Sequence, residues 1–136
     1  MQGLLIFLMG ASGYGIIELL WRGYTHWTML LTGGTAFFVI YYLFSGMEDT
    51  SVVKKAFLGG ALITAIELVA GTIINVIFGL DVWDYSNLPY NFYGQICLPY
   101  SILWIALSFP LAYFCAWVKN ILEKPQEQSA IKESLQ

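Results

Sequence analysis

Three side chains carry charge where the surrounding sequence is apolar: Glu18, Arg22 and Glu67. A carboxylate facing hydrocarbon costs at least about 2.5 kcal/mol, so such groups turn inward, pair, or handle ions and protons. Glu18 and Arg22 stand four apart with the acid first, the order that favours a pair along one helix. Glu67 has no such partner nearby in sequence, which leaves it protonated, cation-bound or paired across helices. Each acid lies on a stripe of small or polar residues at helical spacing. One stripe is Ala11, Tyr14, Gly15, Glu18 and Arg22; the other is Gly60, Thr64, Glu67, Gly71 and Asn75. Two further stripes run through Thr28, Thr32 and Thr35, and through Cys97, Ser101, Trp104 and Ser108. Small residues permit close helix approach and polar ones need partners, so four such faces turned to one interior describe a bundle. The plain alternative is structural: an ion pair at Glu18–Arg22, and a hydrogen bond from Glu67 to Asn75, Thr64 or Arg22.

Other chemistry is thinly represented. There is no G-x-x-x-x-G-K-[ST] phosphate loop, so ATP hydrolysis would belong to a separate ATPase subunit. His26 is the single histidine, and Cys97 and Cys115 fall in one apolar run, so no zinc-ligand set is visible. Along a straight helix those cysteines would sit roughly 27 Å apart at about 1.5 Å per residue, beyond disulfide reach. No histidine stands with a serine or threonine in a nucleophile motif. The expectation is therefore a protein that is not an enzyme and carries no cofactor or metal. An intramembrane enzyme using Glu18 and Glu67 on a lipid or quinone is an alternative.

The elements that position these groups follow from composition. The chain has 136 residues, 58% hydrophobic and 11% charged, whereas a soluble domain carries about 25% charged residues. Disorder and nucleic-acid binding both need more polar or basic sequence. Lipid is the expected solvent. Four apolar segments, about 3–21, 27–44, 56–80 and 95–118, are each long enough to cross about 30 Å of hydrocarbon. They give an all-α, four-helix transmembrane domain over residues 1–122 and a polar, solvated tail over 123–136. A cleaved signal peptide fits the first segment poorly, because no Lys or Arg precedes it and Glu18 and Arg22 occupy the cleavage region.

Lysines fall at Lys54 and Lys55 between the second and third segments, and at Lys119, Lys124 and Lys132 after the fourth; the other side has only Arg22. The excess of positive charge predicts cytoplasmic N- and C-termini in a multi-pass protein of the cell membrane. Trp21, Trp27, Trp83 and Trp117 fall near segment ends, where indoles favour the interface. Ile17-Glu18-Leu19 recurs as Ile66-Glu67-Leu68 at a matching depth and direction, which suggests two parallel two-helix repeats.

The loop from Asp81 to Gly94 alternates aromatics with turn formers and amides. Asp84, Ser86 and Asn91 suit a compact turn, and Tyr85, Tyr90, Phe92 and Tyr93 are apolar enough to fold back over the bundle. An aromatic anchor at the membrane interface is its plain structural reading. The run Trp83-Asp84-Tyr85-Ser86, then Pro89, Asn91, Gly94 and Ile96-Cys97-Leu98, with Ser101 and Trp104 following, resembles the type IV ABC-transporter (CmpB-like) membrane proteins. In that family an intramembrane Glu commonly precedes the motif by about one helix, and Glu67 matches it. Gly13-Tyr14 followed by Glu18 resembles the family's first helix, while Gln95 stands where the family often has Arg.

The resemblance implies a permease-like integral membrane protein. Together with the residues, it predicts a transporter binding a small polar or cationic solute in the outer half of the bundle. Glu67 is the expected key group, with Glu18 and Arg22 balancing charge and Asn75, Asp84, Tyr85, Asn91 and Trp104 completing the site. So small a bundle is expected to form a homo-oligomer, a dimer, within the lipid bilayer. Rival readings are a non-catalytic scaffold or accessory subunit of a larger transporter, and a proton-coupled exporter, since the acid in the first of four short spans also resembles the small multidrug family.

Overall fold

In the computed structural model the backbone is described for residues 1–134 and side chains for 1–123. Four helices form an up-and-down bundle: α1 (Gln2–Arg22), α2 (Trp27–Ser45), α3 (Val52–Gly71) and α4 (Leu98–Ser134). A π-helical turn, Thr72–Ile77, continues α3, and two short antiparallel strands, β1 (Asn91–Phe92) and β2 (Ile96–Cys97), precede α4. All four helices are long and apolar enough to cross a membrane. Large apolar side chains such as Leu4, Leu20, Val69, Ile102 and Tyr113 are exposed around the bundle. That is how lipid-facing helices look, because outward apolar surface costs nothing in hydrocarbon.

Local signals explain the boundaries. Gly23 ends α1 in the left-handed conformation, with φ 78° and its N–H donating to Leu19 O. His26 Nδ1 accepts from the Thr28 N–H and caps α2, and Ser51 Oγ accepts from the Lys54 N–H and caps α3. Pro99 fits the first turn of α4, where its missing N–H leaves no intrahelical bond unmade. α4 continues beyond Val118, where hydropathy ends the fourth segment, through Pro125 to Ser134. The last two residues of the polar tail expected over 123–136, and its side chains from 124 onward, lie outside the described residues.

Packing pairs α1 with α2 and α3 with α4 most closely, so the bundle is two helical hairpins laid side by side. Small residues let the backbones approach. A Cβ on Gly33 would stand 2.4 Å from Tyr14 Cβ, and one on Gly60 would stand 2.3 Å from Ile105 Cγ1. The main apolar cluster, Ile6, Phe37, Ile40, Tyr41, Phe44, Ala112, Cys115 and Val118, fills the half of the bundle that holds the chain's beginning. At that end Lys119 Nζ donates to Ser45 O at 3.1 Å and pairs with Glu48. The opposite end carries the α1–α2 turn and the long loop. Both acids lie toward that loop end, Glu18 sixteen residues after Gln2 and Glu67 fifteen after Val52.

A chamber beside Glu67

The π turn prepares the site. It widens the end of α3 and brings Asn75 inward, where the side chain is buried. Asn75 Nδ2 donates to Trp83 O at 3.0 Å and to Gln95 Oε1 at 2.9 Å, while its Oδ1 accepts from the Val82 N–H at 2.8 Å. Trp83 Nε1 donates to Gln95 O at 3.0 Å. These bonds clamp both ends of the loop to α3. Trp83 is therefore buried in protein at the loop end rather than spread at the membrane surface.

With the loop held there, Tyr85 reaches into the bundle. Its hydroxyl donates to Glu67 Oε1 at 2.8 Å, and Trp104 Nε1 on α4 donates to Glu67 Oε2 at 3.0 Å. Burial, and then the neighbouring Glu67 carboxylate, push the Tyr85 hydroxyl above the ordinary phenol value, so it keeps its proton and stays the donor. Tyr85 stacks on Tyr100, their centroids 4.7 Å apart and their planes at 11°. Glu67 itself is 5% exposed. Among the described residues no basic side chain pairs with it.

Glu18 sits differently. Arg22 Nη2 pairs with it at 2.8 Å, Thr25 Oγ1 donates at 3.0 Å, and Tyr14 OH donates at 3.5 Å. Arg22 also donates from Nη1 to Val82 O at 3.3 Å, tying the end of α1 to the loop. The i, i+4 pair expected from the sequence is formed. It neutralises Glu18 and does not extend to Glu67.

Two adjoining chambers lie between the hairpins. One, of about 240 Å³, has Glu67, Tyr14, Thr32 and Trp104 among walls that are otherwise apolar, including Met9, Phe37, Ile63, Leu107 and Phe114. The other, of about 180 Å³, is lined by Glu18, Arg22, Trp21, Trp83, Tyr85 and Tyr100. Tyr14, Ile17, Met29, Trp104 and Leu107 border both. The ring centroids of Tyr14 and Trp104 are 6.3 Å apart at this partition. The walls around Glu67 carry the aromatic lining anticipated for the site and are otherwise more apolar than the stripes led us to expect.

Of the eight residues singled out from the sequence, Glu67, Tyr85 and Trp104 form one hydrogen-bonded group, and Glu18 and Arg22 form a second beside it. Asn75 lies in the loop clamp. Asp84 and Asn91 lie apart from both groups, as exposed side chains. Asp84 accepts from the Ser86 N–H at 2.8 Å and its hydroxyl at 2.9 Å, and Asn91 Nδ2 donates to Ser86 O and Leu88 O. These local bonds consume the groups that would otherwise reach the chamber. Sequence reasoning did not select Tyr14, Tyr100 or Gln95 as site residues. Tyr14 at four before Glu18 and Tyr100 at four before Trp104 share their faces, which is the signal that marks them.

Comparison with known proteins adds one finding. A family model described as Putative ABC-transporter type IV matches residues 5–132. No curated protein and no solved structure matches the chain.

Proposed function

The chain belongs to the family described as Putative ABC-transporter type IV, and from that premise we propose that its Glu67 chamber binds a small cationic solute on its way across the membrane. The protein is an ABC-transporter-related, multi-pass membrane protein with four candidate spans. The finer reading rests on one observation: a buried carboxylate, met by two neutral donors and by no basic side chain among the described residues, forms part of a cavity wall. A carboxylate has lone pairs beyond the two used here, and a cation entering the chamber supplies the missing charge.

In this account Glu67 holds the solute or a competing cation, while Tyr85 and Trp104 orient the carboxylate. The Glu18–Arg22 pair is the charge-balanced wall of the neighbouring chamber. Asn75 acts at a distance, by fixing the loop that delivers Tyr85. The two hairpins meet where α2 lies against α3 and α4, more loosely than the helices within each hairpin, and rocking of one against the other exposes the chamber alternately to the two sides of the cell membrane. The termini and the α2–α3 connection face the cytoplasm, where their lysines belong. A second copy of the chain completes the pathway, and a separate ATPase subunit supplies any hydrolysis. The protein acts by binding and moving its solute, not by transforming it.

Reconstituted vesicles test this reading. Solute-coupled flux is measured for wild type, Glu18→Gln and Glu67→Gln, with folding checked by circular dichroism. The proposal expects flux to disappear in Glu67→Gln and to be reduced in Glu18→Gln. Wild-type flux in a folded Glu67→Gln protein contradicts it.

A further inference from the structure

We propose that the chamber beside Glu67 takes a fully alkylated ammonium ion, a small organic monocation that carries no N–H donor. The inference rests on the Glu67 reading above and narrows its ligand class. Three features of the wall point the same way.

The first is size. At about 240 Å³ the chamber falls below the range of about 300–1,000 Å³ that encloses drug-sized ligands, so the ion is small. The second is charge: Glu67 is the ionisable acid among the residues lining it. A single carboxylate balances a single positive charge.

The third is the make-up of the wall, which is apolar and aromatic apart from Glu67 and the hydroxyls of Thr32 and Tyr14. Both oxygens of Glu67 already accept a bond, from Tyr85 and from Trp104. The Thr32 hydroxyl donates to Thr28 O at 2.9 Å, and the Tyr14 hydroxyl donates toward Glu18 at 3.5 Å. A primary ammonium or a guanidinium brings several donors that Glu67, Thr32 and Tyr14 alone could meet, whereas the rest of the wall is hydrocarbon and aromatic surface that pairs poorly with them. An ammonium with four alkyl groups leaves none unmet. Its methylene surface meets Met9, Ile63 and Leu107, while its charge lies beside the rings of Tyr14 and Trp104, which both border the chamber. Aromatic faces attract such ions through the ring quadrupole, and that attraction strengthens where water is excluded.

The test is the unfolding temperature of the purified full chain in detergent, with tetraethylammonium, methylammonium or sodium chloride at equal ionic strength. Wild type is compared with Glu67→Gln, with Ala36→Leu, which fills the chamber from α2 and keeps the acid, and with Glu48→Gln at the far end as control. Tetraethylammonium is expected to raise the midpoint of wild type and Glu48→Gln more than methylammonium or sodium does, and to leave Glu67→Gln and Ala36→Leu unshifted. A Glu67-dependent shift that is equal or larger with methylammonium overturns the alkylated class and leaves the Glu67 reading standing. No Glu67-dependent shift with any of the cations overturns both. A tetraethylammonium shift that survives in Glu67→Gln and Ala36→Leu overturns the assignment to this chamber.

Discussion

Tyr85, in the loop that follows α3, donates its hydroxyl to Glu67, eighteen residues earlier and inside the bundle, at 2.8 Å. The loop's position and the hydrogen bonding of the buried acid are therefore one variable. Lifting the loop breaks the Tyr85 bond to Glu67, and a change at the acid is felt at Tyr85.

Removing that hydroxyl separates the two. Tyr85→Phe keeps the stack on Tyr100 and deletes the bond to the carboxylate. Losing a hydrogen bond to a buried ionisable group costs about 1–3 kcal/mol. The expected result is a lower unfolding midpoint together with faster hydrogen exchange at the Val82 and Tyr85 amides. Unchanged exchange would show that the loop is held by the Asn75 clamp alone.

The Glu18–Arg22 pair predicts an asymmetric pair of variants. Arg22→Met leaves Glu18, 6% exposed, without its counter-ion. Arg22 is partly exposed, so the loss falls between about 1 kcal/mol for a surface pair and about 3 kcal/mol for a buried one. Adding Glu18→Gln to Arg22→Met removes the uncompensated charge and should recover part of that loss. A double-mutant cycle on unfolding midpoints reads the coupling directly.

Close helix approach gives a third prediction. In Gly33→Ala the new methyl meets Tyr14 at 2.4 Å and forces α1 from α2. Overpacking of this kind costs about 1–3 kcal/mol. Because Tyr14 borders both chambers, the variant should also weaken solute binding. A matched control, Gly13→Ala, finds open space and should unfold like wild type.

The loop carries a pH dependence of its own. Hydrogen bonds from the Ser86 N–H, and then from its hydroxyl, hold the Asp84 carboxyl below its usual value of 3.8. A group depressed in the folded state adds stability above its unfolded value and loses it as pH falls through the folded one. The Ser86 amide should therefore stay protected from hydrogen exchange at pH 5 and open only below about pH 4. Asp84→Asn should remove that transition.

Much of the architecture was legible because lipid imposes a simple pattern. Four apolar runs became four helices, and the acid-first spacing of Glu18 and Arg22 became a pair, since both signals lie within one helical segment. What was not legible depends on partners far apart in sequence or on the backbone. Trp104 meets Glu67 across 37 residues, and spacing along either helix says only that each faces inward. The π turn at Thr72–Ile77 is a change of backbone hydrogen-bond register with no side-chain signature. Asp84 and Asn91 were recognisable as turn formers from their chemistry alone. Their exposure follows from that same turn, which uses up their polar atoms locally.

Labelling of Glu67 by a small apolar carbodiimide tests the central claim most directly. The protein in bilayers is treated with diisopropylcarbodiimide, with and without tetraethylammonium or methylammonium, and adducts are located by peptide mass spectrometry. The account predicts an adduct on Glu67 whose yield falls with tetraethylammonium, and less with methylammonium, as the cation fills the chamber. No adduct on Glu67, or a yield that neither cation changes, would contradict it.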